Sequence, residues 1–240
     1  MFELLRSRCG LRPGAAVFEV GPGTGIATRE LLRAGAGPLS LIEPDPRLRR
    51  FLERSLRPSE RPRVRWYPSD FERALLPSGA FDLGVAAQSF HWVPRRTGLR
   101  KVARVLRSGG WWASWGNHHG DPFRDSPFSD AIQIVYRDVF GRTSARRSQR
   151  TSERKERAAQ LAALRSVGRF RGIGREDIRW DARLSGREVT DLWSTFSEIM
   201  TLAQPKRHRF LTGIERIVNE EFGGHVRLPM LTPVYFAERN

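Results

Sequence analysis

Short apolar runs alternate with amphipathic stretches through the first half of the chain. Residues 15–20, 39–42, 64–67, 81–87 and 111–115 are the apolar runs, rich in Val, Leu, Phe and Trp. Between them, apolar positions recur at helical spacing: Ile26, Leu31 and Leu32, then Leu48, Phe51, Leu52 and Leu56, then Leu99, Val102, Ala103 and Leu106. A further helix begins at Phe2-Glu3-Leu4-Leu5 and stops before Gly10. Turn chemistry separates the elements, in Leu11-Arg12-Pro13-Gly14, Ala34-Gly35-Ala36-Gly37-Pro38 and Ser108-Gly109-Gly110. Pro46 stands where the first turn of a helix tolerates proline. Strands alternating with helices at this interval predict βαβ units and a mostly parallel sheet. Right-handed crossovers put the C-terminal ends of the strands on one side, where open α/β sheets bind ligands. The loops on that side begin at Gly21, Glu43, Asp70, Gln88 and Gly116.

The rhythm changes after Gly116. Ile132, Val135, Tyr136 and Val139 predict a helix, and the arginine-rich 141–157 reads as a loop or as the exposed start of the next helix, which stops near Gly168. Residues 178–184 alternate weakly, as a strand would. Val189, Leu192, Trp193, Phe196, Ile199 and Met200 mark one helix, and Leu211, Ile214, Val218 and Phe222 another, ended by Gly223-Gly224. Residues 226–237 read as a strand pair or one bent strand.

At 240 residues the chain suits one α/β domain with an elaboration, or at most two small domains. No run is long and apolar enough for a membrane span, and the charged N-terminus lacks a signal-peptide layout. One cysteine, Cys9, excludes an internal disulfide framework or a cysteine metal cluster and fits a reduced, cytoplasmic setting. The net charge of +16 invites a nucleic-acid reading. Of the 42 basic residues, however, only Lys101, Lys155 and Lys206 are lysines, and the arginines are scattered apart from a cluster at 142–157. That skew fits compositional bias better than a selected RNA surface.

The candidate chemistry centres on Val17-Phe18-Glu19-Val20-Gly21-Pro22-Gly23-Thr24-Gly25. An apolar strand, three glycines at alternate positions and a helix start make a cradle for a nucleotide-like ligand. The spacing is G-x-G-x-G, whereas a dinucleotide fingerprint reads G-x-G-x-x-G. Glu43, at the tip of the second strand, is placed to accept from the hydroxyls of a ribose; the alternative is a carboxylate serving a helix N-terminus. Asp70-Phe71 can accept from an adenine amino group and cover the ring, or Asp70 can cap a short helix. Glu19, semi-buried beside the glycines, needs a cationic partner such as a ligand ammonium, or else caps nearby N–H groups. His91-Trp92 closes the string from Gln88 at the end of the fourth strand, where an acceptor would sit. There His91 is a candidate general base and Trp92 an acceptor contact, unless the histidine only orients the loop. Trp115, Asn117, His118 and His119 follow the fifth strand toward the same cleft. Adjacent histidines point apart, so no metal site is expected.

In this order the motifs resemble the class I S-adenosylmethionine-dependent methyltransferases of the methyltransferase type 11 group. The branch with trans-aconitate-methyltransferase-like proteins is the most similar. The carrying residues are Glu19 to Gly25, Glu43-Pro44-Asp45, Ser69-Asp70-Phe71-Glu72, Phe81-Asp82-Leu83, Ala87-Gln88-Ser89-Phe90-His91-Trp92 and Val105-Leu106-Arg107-Ser108-Gly109-Gly110. The tail adds Ser194-Thr195-Phe196-Ser197 in a helix and Thr232-Pro233-Val234-Tyr235-Phe236-Ala237 in the last strand. The resemblance implies a Rossmann-like, seven-stranded, mostly parallel sheet with helices on both faces and the last strand antiparallel. It implies a core of residues 1–117 and about 175–240, with a helical cap insertion after strand five at about 118–174. It implies S-adenosyl-L-methionine held by Glu19, Gly21, Gly23, Gly25, Glu43, Asp70, Phe71 and Gln88, and a small-molecule methyl acceptor, a carboxylate among those considered. A carboxylate acceptor needs no base, only an arginine clamp. Neither a membrane nor a nucleic acid is the expected partner, and a monomer or homodimer is the expected assembly.

Relatives carry a segment ahead of the first helix, whereas Met1 enters that helix midway. The expectation is a start lying further upstream, or a more open cofactor site. Two other functions stay open on the sequence: an RNA-associated methyltransferase or RNA-binding protein, and a non-catalytic S-adenosylmethionine-binding module.

Overall fold

In the computed structural model, which describes residues 1–118, 120–144 and 146–240, the apolar runs become strands of one seven-stranded sheet. The chain runs α1 (Phe2–Arg8), β1 (Val17–Val20), α2 (Ile26–Arg33), β2 (Leu39–Ile42), α3 (Pro46–Ser55), β3 (Val64–Tyr67), β4 (Phe81–Ala87), α4 (Arg95–Val105) and β5 (Leu106–Trp115). It continues with α5 (Pro127–Ala131), α6 (Gln133–Phe140), α7 (Arg146–Ser166), β6 (Phe170–Ser185), α8 (Gly186–Ser194), α9 (Ser197–Met200), α10 (Gln204–Glu221) and β7 (His225–Arg239). Short 3-10 turns stand at Arg61–Arg63 and Phe90–Trp92. The sheet order is β3-β2-β1-β4-β5-β7-β6, with β1 to β5 parallel and β7 antiparallel to β5.

The chain divides into two compact units. The first comprises Met1–Asn117, Glu156–Ile178 and Thr232–Asn240; the second comprises His118–Lys155 and Arg179–Leu231. In the first, β1 is buried on both faces, so its alternate residues feed different clusters. Phe18 and Val20 join Phe71, Phe81, Leu99 and Trp112 on one side, while Val17 joins Leu31, Leu39, Leu52 and Leu83 on the other. Phe18 packs against Gly84, where a Cβ would overlap the tip of its ring, and stacks on Phe71 at 5.9 Å and on Trp112 at 6.0 Å. Glycine at position 84 is therefore what lets an aromatic floor form beneath the glycine loop. The second unit has its own core, in which Phe128, Trp193 and Phe210 meet Tyr136, Ile214 and Val218. Ser126 caps α5, accepting from Ser129 N at 3.1 Å, and a reciprocal Ser185–Glu188 capping box starts α8.

Several boundaries differ from the expected ones for local reasons. Ser108-Gly109-Gly110 was expected to be a turn before the strand but lies inside β5. Phe81 pairs with Leu106 while Leu83 pairs with Trp111, and the residues between form an irregularity with Gly109 at φ +75°. β6 starts at Phe170 rather than near 178, because an edge strand with charged residues on both sides shows little alternation. The helix expected over 189–200 breaks at Phe196, whose φ of −76° and ψ of 132° are extended, so the Ser194–Ser197 string is a junction between α8 and α9. Residues 71–73 after Asp70 form a turn, not a helix. No described helix is long and apolar enough to cross a membrane.

Candidate active site

The glycine loop is assembled by three strands. Gly21 N donates to Ile42 O at 2.9 Å, which ties the end of β1 to β2, and Ser89 Oγ donates to Val20 O from the far end of β4. A Cβ on Gly21 would stand 2.7 Å from the Ser89 Cβ, so the approach of these two loops requires glycine. Gly23 needs glycine for a different reason. Its φ is +56°, yet nothing lies within 4 Å of where its Cβ would be, so its face is open. Gly25, at φ +82°, precedes α2, whose first turn has no side-chain cap and presents unpaired N–H groups.

Beside the loop is a cavity of about 550 Å³ whose lining comes entirely from the first unit. Gly21, Gly23, Glu43, Asp70, Phe71, Gln88 and Trp92 line it, so seven of the sequence-derived candidates meet in one space. Trp115 and Asn117 line it too. Gly25, Glu19 and His91 do not. Its charged lining residues are Glu43, Asp70 and Glu72, with no Lys, Arg or His among the described residues lining it. Such a wall favours a cationic or neutral ligand over a phosphate-bearing one.

Glu43 is 5% exposed and fixed at both oxygens. Oε2 accepts from Gly23 N at 3.1 Å and Oε1 from Asp45 N at 3.0 Å. Each oxygen keeps a lone pair for a further donor. The carboxylate therefore sets the loop and faces the cavity at once. Asp70 is exposed, with Arg73 Nη1 3.8 Å away. Phe71 lines the cavity while most of its ring is buried on Phe18, and the Lys101 ammonium sits 5.3 Å from that ring on α4.

Glu19 is fully buried. Thr28, in the first turn of α2, donates from Oγ1 to Glu19 Oε2 at 2.7 Å, while Oε1 is buried without a hydrogen-bond partner. Burial pushes the carboxyl up to about 7; the Thr28 bond opposes this and the neighbouring Glu43 adds to it. One oxygen of this buried carboxyl is thus left without a donor, a costly arrangement unless a positive or donor group satisfies it.

Gln88, directly after β4, has φ +61° and is the one positive-φ non-glycine residue among those described. The conformation is held by Gln88 N donating to Trp115 O at 2.8 Å and by Gln88 Oε1 accepting from Asn117 N at 2.6 Å. Asn117 in turn accepts at Oδ1 from Thr232 Oγ1 at 2.7 Å. Backbone strain sustained by neighbouring hydrogen bonds is a mark of functional positions. Trp92 is 82% exposed at the cavity edge, and the exposed His91 ring lies 4.9 Å from it. His118 does not line the cavity; its Nδ1 is 3.0 Å from Glu153 Oε2 within the second unit. His119 lies outside the described residues.

Sequence reasoning did not single out Phe2, Ile26, Leu48 or Thr28. Phe2 lines the cavity and packs edge-on against Trp115 at 6.2 Å; Ile26 lines it while 72% exposed. The only signal for Ile26 was its place directly after the last glycine of the loop, where an exposed apolar side chain is out of keeping with a helix start.

Residues 18–114 match the profile of a family described as methyltransferase domain. A protein described as a type II methyltransferase from Anaeromyxobacter dehalogenans is 20% identical in sequence, with a TM-score of 0.63 over 99% of this chain and 95% of that one. A protein described as a sarcosine dimethylglycine methyltransferase from Galdieria sulphuraria is 14% identical, at 0.54 over 99% and 83%. The Haemonchus contortus phosphoethanolamine N-methyltransferase 2, solved with phosphomonomethylethanolamine and S-adenosylhomocysteine, is 12% identical, at 0.55 over 99% and 52%. At these identities the likeness establishes the fold. Residues 18–114 thus match a methyltransferase domain, and the chain shares the Rossmann-like fold of these solved methyltransferases.

Proposed function

We propose that this methyltransferase domain moves the methyl group of S-adenosylmethionine to a small-molecule acceptor at the cavity between the glycine loop and Trp92. The observation that carries the reading is the cavity's charge: acids and no bases among the described residues lining it, while the buried Glu19 keeps one oxygen unpartnered. A dinucleotide would bring phosphates into that wall, whereas a sulfonium and an ammonium would each find a counter-charge. The small-molecule acceptors for which the Galdieria and Haemonchus proteins are named support the same class for this chain.

The side chains divide the work. Glu43 accepts from the ribose hydroxyls while its other bonds keep Gly23 in place. Asp70 accepts from the adenine amino group beside Phe71, and Gly21 and Gly23 let the backbone come close. Glu19 meets the ammonium directly or through a water, and the strained Gln88 backbone positions the methionine end. S-adenosylmethionine supplies an electrophilic methyl group on sulfur. The chain's contribution is alignment of the acceptor and exclusion of water. Trp92 contacts the acceptor, and His91 takes the proton of an acceptor whose oxygen or nitrogen must lose one. A carboxylate acceptor requires an arginine clamp, and no arginine is among the described residues lining this cavity, so a neutral or cationic acceptor fits it better. A cytoplasmic setting accords with the buried free Cys9, whose thiol is pushed up to about 12, mainly by burial.

Titration calorimetry with S-adenosylmethionine, followed by label transfer from its methyl group to a panel of small amines, phenols and carboxylates, tests the reading. Saturable 1:1 binding and transfer to a small acceptor are expected. No saturable heat would overturn the cofactor assignment, and binding without transfer to any acceptor would favour a non-catalytic module.

A further inference from the structure

The edge of the sheet opposite the glycine loop carries a second cleft, of about 570 Å³, also built within the first unit. Arg100 and Arg104 reach it from α4, Arg169 from the turn between α7 and β6, and Arg239 from the end of β7, over Ser78 and Gly79. None of the four forms an ion pair among the described residues. Arg104 Nη1 donates to Ser78 Oγ at 2.7 Å, and Arg239 Nε donates to Ala103 O at 2.6 Å, so these two are positioned by neutral groups and keep their charge uncompensated. The acids of this edge are already engaged. Asp82 takes Arg12, Arg107 and the Ala16 N–H, and Glu238 takes Arg171 through both oxygens. Lys101 registers the local field: its pKa is lowered, by burial first and by Arg104 second.

We propose that this arginine cleft binds a run of two or more adjacent phosphoryl groups on a small anion. Compositional bias accounts for many exposed arginines; it does not account for four unpaired ones converging from three separate elements on one concavity. Arg96, Arg100 and Arg104 repeat along one face of α4 with no acid in that helix, so like charges repel there until an anion arrives. Guanidinium groups present paired N–H donors that match phosphoryl oxygens, and four of them exceed what a single carboxylate can neutralise. Ser78 Oγ and the exposed backbone at Gly79, where nothing lies within 4 Å of a Cβ position, leave room for the ligand to approach. The phosphoryl run can belong to inorganic polyphosphate or to a nucleotide.

The test is calorimetric titration of the full chain with tripolyphosphate and, separately, with a nucleoside triphosphate at low salt. One-site saturable binding is expected, weakened at least tenfold in Arg104→Gln/Arg239→Gln. Arg100→Gln/Arg169→Gln, which removes no side-chain hydrogen bond among the described residues, should weaken it similarly and covers the case in which the first pair fails to fold. Arg187→Gln/Arg227→Gln removes the same charge elsewhere and should change affinity less than twofold. Equal affinity for both anions assigns the site to the phosphates alone, and a tighter nucleotide assigns it to a nucleotide. No saturation, or equal loss in the control pair, would overturn the site. A short single-stranded RNA that displaces tripolyphosphate and binds far more tightly would also overturn it, in favour of a nucleic-acid backbone.

Discussion

The two edges of the sheet in the first unit are built from the same strands and carry opposite chemistry. At the C-terminal ends of β1, β2 and β4, Gly21 and Gly23, both at positive φ, face a cavity whose charged lining residues, among those described, are all acidic. At the other ends, four arginines without ion-pair partners among the described residues surround a cleft of similar size. The net charge of +16 is therefore a poor guide to either site. Averaged over the chain it points to polyanions, yet the cavity marked by the glycine motif excludes them. Local charge, set by which side chains the topology brings together, decides what each edge can hold.

The comparison can be broken most forcefully at Glu43. Glu43→Ala removes an acceptor for ligand hydroxyls and frees Gly23 N, so affinity for S-adenosylmethionine should fall by roughly 10- to 100-fold, from charged hydrogen bonds of about 1.5–3 kcal/mol. Tripolyphosphate affinity should not move. Parallel titrations of one variant check both statements, and a shared loss would mean that the variant is misfolded or that the edges are not independent.

Salt should separate the edges next. Raising it from low to moderate ionic strength should weaken tripolyphosphate binding by about tenfold and S-adenosylmethionine binding much less, since exposed arginines are screened and the buried Glu19 is not. Similar slopes for the two ligands would erase the contrast.

A smaller, pH-linked effect comes from Glu19. With its carboxyl pushed up to about 7, a cationic ligand must bind the ionised form, so affinity should rise with pH up to about 7 and then level off. Below that pH the loss is at most tenfold per unit, one proton being released. Titrations in buffers of different ionisation heat should show that release in the wild type and none in Glu19→Gln. Stability of the ligand-free protein has the opposite slope. A raised folded-state pKa means the native state binds more protons, so this group's contribution to stability falls as pH climbs from about 4.5 to about 7. Thermal melts across that window check the sign.

The smallest expected effect on folding is at Gly23. A Cβ there meets nothing, so Gly23→Ala should cost only the left-handed backbone strain, about 1–2 kcal/mol, while narrowing the cradle. Gly84→Ala is its contrast in the core, where the Cβ would strike Phe18. Denaturant unfolding should rank Gly84→Ala as the more damaging, and ligand titration should rank Gly23→Ala as the more damaging to binding.

β1, β2 and β4 were legible because buried parallel strands are written as unbroken apolar runs, and the glycine spacing and Glu43 are local signals; the edge strand β3 showed through Trp66 and Tyr67, and β5 only from Trp111 onward. Phe71 was legible as a cavity residue, but its stacking on Phe18 was not, because that depends on the space left over Gly84. The extent of β6 and the break at Phe196 were hidden, the first by edge-strand polarity and the second by apolar spacing that continues across the junction. Thr28 as the partner of Glu19, and the arginine cleft, needed the fold. Its four arginines lie at positions 100, 104, 169 and 239, and no local pattern links them.

The central claim, that the acidic edge is the cofactor site, is tested most directly by a structure with S-adenosylhomocysteine bound. The ribose hydroxyls should lie on the Glu43 carboxylate, with the amino group toward Glu19 and the sulfur facing Trp92. A ligand whose ribose lies away from Glu43, or one seated only in the arginine cleft, would contradict it.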